Sequence, residues 1–220
     1  MKKNPTFAIV FLAGALTFTW GTAQEPDILV FQGKEYALHS NPLERYFNDH
    51  PEKRPEAPLR STNLWRGYVA RFELTDGKLY LTDILIQKLK DDTAQNFETV
   101  WVSVLADVFP GQKQVLLDWY TGILVCPYGK LVNYVHMGYG STYEYYKLFE
   151  ITTGGLTGEK DMGYEAYLEF RKRQFEAFQE TEEYQELVRK LQEENDYSRE
   201  YIDGFLSAFV TEYTSRFLAD

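Results

Sequence analysis

Few side chains of this sequence stand at spacings that do chemistry. His39, His50 and His136 are its three histidines, and no two of them have the spacing of a shared metal site. The one cysteine, Cys126, precedes His136 in the same stretch. A nucleophile–base pair needs the two within hydrogen-bond reach. If Pro127-Tyr128-Gly129 turns the chain, Cys126 faces about Leu131 and His136 faces about Thr121, so the two are separated along the ladder. A lone thiol in an exported chain is more often a buried, apolar group than a nucleophile or an intermolecular bridge, and that role is expected for Cys126. Glu44, Asp107 and Asp118 are available carboxylates, but no spacing selects an acid–base pair from them. Gly138-Tyr139-Gly140 lacks the third glycine of a dinucleotide loop, and GGLTGEKD at 154–161 puts Asp161 where a phosphate loop needs Ser or Thr. No zinc-protease, nucleophile-elbow or calcium-loop motif is present, so the sequence gives no reason to expect a cofactor or a metal.

Two constellations remain. The first is Arg66 with Asp83, two charges within LWRGYVARFELTDGKLYLTDILI at 64–86. Burying either alone is expensive, so each needs a partner. They either serve the sheet structurally or line its concave floor and hold a polar ligand. The second is VHMGYGSTYEYY at 135–146, which mixes His136 with glycines and tyrosines. Tyrosine offers amphipathic contact area and glycine lets a backbone approach closely. Trp65, Arg66, Tyr68, Asp83, His136, Tyr139 and Tyr143 are the expected ligand-binding residues; no catalytic residue is assigned.

The elements that must position these residues follow from periodicity. Two-residue turns at Asp76-Gly77 are strong hairpin signals. Register from that turn pairs Leu74 with Leu79, Phe72 with Leu81, Ala70 with Asp83 and Tyr68 with Leu85 on one face. Glu73–Tyr80, Arg71–Thr82 and Val69–Ile84 fall on the other. A smaller hairpin is expected at 28–31 and 35–38 about Gln32-Gly33-Lys34. The proline-rich stretch 39–62 reads as a loop with a helical turn at 43–47. Another strand is expected at 97–105, and three more within 115–151, the first pair turning at Pro127. The tail then becomes helical. Tyr164, Tyr167, Leu168, Arg171, Phe175 and Phe178 form one stripe, and Tyr184, Leu187, Val188 and Leu191 form another out of phase with it. Thr181 followed by two glutamates marks an N-cap and a break. A last helix is expected over 198–218.

These patterns predict an α+β fold: an antiparallel sheet, open or barrel-like, over 24–160, with C-terminal helices over 161–220 packed on it. The apolar face of the 64–86 hairpin is expected to meet those helices.

Residues 1–23 have the pattern of a secretory signal: Lys2 and Lys3, a short apolar run, then Gly21-Thr22-Ala23 before the expected cleavage point. Removing them leaves 197 of the 220 residues, takes away two lysines and no acid, and moves the net charge from −10 to −12. An acidic surface disfavours nucleic acid and anionic membranes. No later stretch is apolar enough to cross a bilayer.

LHSNPLERYF, PEKRP, STNLWRGYVARFEL, LYLTDI and VHMGYGSTYEYYKLFEI together resemble a family of uncharacterised exported bacterial proteins, over most of 28–151. The resemblance implies a bacterial exported domain, periplasmic or secreted, and no particular activity. The expected function is non-catalytic binding of a protein or small-molecule ligand. The alternatives are a cell-envelope hydrolase using carboxylates or His136, and a structural protein that forms homo-oligomers through its C-terminal helices.

Overall fold

The structure is a computed structural model that describes residues 22–90 and 98–219. Most of the expected leader lies outside the described residues. No helix among them is long and apolar enough to cross a membrane.

Strands β1 (Asp27–Phe31) and β2 (Lys34–Leu38) form the expected small hairpin, with Gln32 and Gly33 both at positive φ in its two-residue turn. Helix α1 (Pro42–Asp49) buries Leu43 and Phe47. Strands β3 (Val69–Thr75) and β4 (Lys78–Leu89) follow, then β5 (Thr99–Ser103), the short helix α2 (Leu105–Val108) and β6 (Val115–Leu116). Two long strands, β7 (Gly122–Asn133) and β8 (Thr142–Thr152), precede β9 (Gly155–Gly163). Four helices complete the chain: α3 (Tyr164–Gln179), α4 (Glu182–Asn195), α5 (Arg199–Ala208) and α6 (Val210–Tyr213). The fold is α+β.

The described strands form one mixed sheet ordered β2-β1-β3-β4-β9-β8-β7, with β5 and β6 also paired to β4. Antiparallel pairs predominate, but β1 runs parallel to β3, a pairing that short-range turn signals do not encode. The sheet curls without closing. The residues just after β2 reach the β7 edge, where His39 N donates to Val125 O at 2.8 Å and the buried Ser40 hydroxyl bridges Ile123 O and Val125 N.

Register from the Asp76-Gly77 turn holds through Phe72–Leu81 and then slips by one. Arg71 faces Asp83, Ala70 faces Ile84 and Val69 faces Leu85, because Thr82 forms a bulge whose hydroxyl donates to Arg71 O. The bulge keeps Leu79, Leu81, Ile84 and Ile86 in the core and moves Asp83 to the outer face. Without it, a carboxylate would sit among leucines.

The expected turn at Pro127 does not exist. β7 runs straight through it, with Pro127 opposite Tyr146, and a register irregularity past Tyr128 absorbs Gly129, which has φ +81°. β7 is an edge strand, where a missing N–H is tolerated. Residues 122–127 are all buried because the sheet is covered there on both faces. Leu124 and Cys126 enter the core enclosed by the curl, with Phe72, Leu81 and Phe149. Ile123 and Val125 face the helices, with Tyr146, Leu148, Tyr167 and Phe170. Cys126 is fully buried and its thiol is pushed up by that burial, in line with a packing role.

The tail therefore packs on the outer face of β7, β8 and β9, not on the β3–β4 hairpin. The hairpin's apolar face is covered instead by the curl of the sheet and by α1 and α2. The break at Thr181 is as expected: its hydroxyl accepts from Tyr184 N at 3.2 Å and caps α4. Thr181→Ala should lower stability by about 1 kcal/mol, read as a melting temperature reduced by roughly 2–4 °C. The last helix is interrupted at Phe209, and residues past Tyr213 leave the helix so that Phe217 packs edge-on to Phe170. Buried Gln174 secures this return, donating to Thr214 Oγ1 and Arg216 O and accepting from Leu218 N and Ala219 N.

Candidate functional site

Between the outer face of β7–β8, the 134–141 loop and the helices lies a cavity of about 650 Å³. Three parts of the chain build its walls. The first is the end of β2 and the following residues, which give His39 and Asn41. The second is Trp65 and Arg66 with the 137–142 segment. The third is helical: Tyr164, Tyr167, Leu168 and Arg171 from α3, with Phe205, Phe209 and Glu212 from the α5–α6 elbow.

Arg66 anchors the inner wall. Its side chain is 2% exposed and lies 3.1 Å from Asp27, which is fully buried. The guanidinium also donates to Glu25 O, to Tyr139 OH at 2.7 Å and to Asn41 Oδ1, and Tyr139 in turn donates to Asn41 Oδ1 at 3.0 Å. Gly67 makes the approach possible: at φ +82°, a Cβ there would lie 2.6 Å from Ala57 Cβ. Burial disfavours the Arg66 charge, yet Asp27 and Tyr139 hold its pKa above the ordinary range. Burial pushes the Asp27 carboxyl up to about 7, against the pull of Arg66 and of the Ala70 N–H that donates to it. Asp27 Oδ2 and Arg66 Nε have no hydrogen-bond partner among the described residues. Through Nη1 the pair holds Tyr139 and Asn41 against the cavity.

His39 stacks on Tyr139 at 4.5 Å between ring centroids and meets the edge of Tyr143 at 5.8 Å. Burial lowers its pKa to about 4, so the imidazole is neutral at physiological pH. No described residue bonds its ring nitrogens, which leaves one donor and one acceptor for an occupant. The opposite wall is fixed by Tyr146 and Tyr167, stacked at 3.8 Å. Arg171 lies beside Tyr167 and donates through Nη2 to the carbonyls of Ser207 and Ala208. Glu212 is exposed on the cavity side yet ringed by protein, which pushes its carboxyl up to about 7 while Arg171 pulls the other way.

The two buried groups leave opposite signatures with pH. His39 titrates at about 4 when folded and 6.5 when unfolded. The unfolded chain thus binds more protons in that window, and His39's contribution to stability rises with pH. Asp27 titrates at about 7 when folded and 3.8 when unfolded. There the folded chain binds more protons, and its contribution falls as pH rises. Wild type measured against His39→Gln should gain relative stability from about pH 4 to 6.5. Measured against Asp27→Asn it should lose relative stability from about pH 4 to 7. Chemical denaturation across this range checks both signs.

The structure brings Trp65, Arg66 and Tyr139 of the expected site residues to the cavity wall, with Tyr143 behind His39. The others lie elsewhere. Tyr68 is in the core, where its hydroxyl donates to Glu44 at 2.6 Å. Asp83 is on the opposite face of its sheet, accepting from Ser103 Oγ and Ile84 N. His136 is exposed, paired with Tyr134. Arg66 and Asp83 thus have separate partners. Sequence reasoning missed His39 and the helical wall. The available signal was Arg171, a charge inside an otherwise apolar stripe.

No family model, curated protein or solved structure matches this chain.

Proposed function

We propose that this is an exported, non-catalytic binding protein that holds a small, largely apolar molecule in the cavity between its sheet and its C-terminal helices. The observation that carries this reading is the cavity itself. Its volume of about 650 Å³ falls within the range of small-molecule pockets, about 300–1,000 Å³. Its walls are aromatic and aliphatic with a few fixed polar groups, the usual composition of a binding site. Trp65, 56% exposed, stands at its rim. Hydrolysis is less well supported: Glu212 is the one carboxylate among the described lining residues, and His136 lies outside. The apolar stripes of α4 and α5 cover one another within the chain, through Tyr184, Leu187, Val188, Ile202 and Leu206, which leaves little of them for subunit contacts.

Leu168 lines the cavity and is 39% exposed, so a larger side chain fits without disturbing the core. Leu168→Trp should weaken binding of the neutral fluorescent probe N-phenyl-1-naphthylamine by about tenfold or more, because it fills the space the probe needs. Its melting temperature should stay close to that of wild type. Unchanged probe affinity in the folded variant would overturn the reading.

A further inference from the structure

We infer that the occupant of this cavity carries an anionic group, a carboxylate or sulfonate on an apolar body, and that Arg171 receives it. This rests on the binding reading above and specifies its ligand.

The cavity has two guanidinium groups of different availability. Arg66 lies 3.1 Å from Asp27 and donates to Glu25 O, Tyr139 and Asn41, which leaves only its buried Nε unbonded among the described residues. Arg171 is bonded only through Nη2, to the carbonyls of Ser207 and Ala208. Among the described residues its Nε and Nη1 have no partner, and no carboxylate lies within ion-pair distance. Its free N–H groups on Nε and Nη1 can each donate a charge-assisted hydrogen bond to a carboxylate or sulfonate. Nη2 is already held by the two carbonyls, so little orientational freedom remains to be lost when an anion docks. The neighbouring Tyr167 ring, 5.7 Å from Arg171 Cζ, restrains it further.

The other charges in the wall do not cancel it. Glu212 is the one carboxylate among the described lining residues; it makes no ion pair with Arg171, and burial raises its pKa to about 7. His39 is neutral and can donate or accept one hydrogen bond. Phe205, Phe209, Leu168 and Trp65 supply the apolar surface for the rest of the molecule. The chain as a whole carries −10, so an anion that binds must be drawn by a local cation rather than by the general field.

Two probes of similar body separate the claims: 1-anilinonaphthalene-8-sulfonate, which is anionic, and N-phenyl-1-naphthylamine, which lacks the sulfonate. Binding of each is followed by fluorescence titration on the purified protein at moderate salt. The anionic probe should bind more tightly. Arg171→Gln should weaken it by about tenfold or more and leave the neutral probe within about twofold. Arg171→Lys should fall between, keeping the charge without the guanidinium's fixed, planar donors. Glu212→Gln, which touches no helix cap, should strengthen the anionic probe alone. If Arg171→Gln fails to fold, the Arg171→Lys and Glu212→Gln arms decide. Equal affinity of the two probes, with neither changed by these substitutions, would overturn the anionic assignment and leave the cavity reading intact. Failure of both probes to bind, or binding of both undiminished by Leu168→Trp, would overturn the cavity reading itself.

Discussion

Arg66→Met should destabilise the protein by about 3–5 kcal/mol, the usual cost of leaving one member of a buried ion pair alone. For a chain of this size that is a fall in melting temperature of roughly 6–20 °C. The cause is specific. Met fills similar space, but Asp27, fully buried, loses its countercharge, and Asn41 and Tyr139 lose their shared donor. The penalty should grow with pH, because raising pH ionises a carboxylate that no longer has a cation beside it. Asp27→Asn combined with Arg66→Met should recover a substantial part of the loss. The amide oxygen can still accept from Ala70 N, which a hydrocarbon side chain could not do. Measured by denaturant unfolding, a loss below about 1 kcal/mol for Arg66→Met would mean the pair is not structural.

The second large effect is expected at Tyr167. Truncation to Ala removes a side chain 7% exposed and dissolves its stack on Tyr146 at 3.8 Å. Large aromatic-to-alanine changes in a core cost about 3–5 kcal/mol, and the stacked geometry itself accounts for about 0.5–1.5 kcal/mol. The damage should be local. Tyr167 belongs to the cluster that joins α3 to β7 and β8, which is separate from the core enclosed by the sheet. Amide exchange should therefore accelerate in α3 and α6, while β1, β3 and β4 keep their protection. Binding of N-phenyl-1-naphthylamine should be lost with it, because one wall of the cavity is no longer held. Uniform acceleration across the sheet would indicate that the two layers unfold as one unit.

These two residues also separate what local sequence encodes from what it does not. The Asp76-Gly77 turn, the hairpin before it and the Thr181 cap rest on neighbours a few positions apart, and the sequence states them directly. The bulge at Thr82 is a tertiary decision. A uniform alternation would place Asp83 in the core, and a one-residue slip exchanges the faces for everything beyond it. Pro127 reads as a turn until its strand is known to be an edge.

Local patterning was enough to place this protein in its class: an acidic chain of strands followed by amphipathic helices, with a conspicuous Trp65-Arg66 and a tyrosine-rich stretch at 135–146. The company those residues keep is set by long-range packing. Arg66 found its partner 39 residues earlier, in Asp27, across a parallel pairing that no turn signals. His39 and Arg171 reached the same cavity from a strand end and a helix face. Side-chain periodicity fixes which face of an element is apolar, but it carries no information on which other element covers that face. That choice is made by the curl of the sheet, which put the helices on the outside of β7 and β8 and opened the cavity between them.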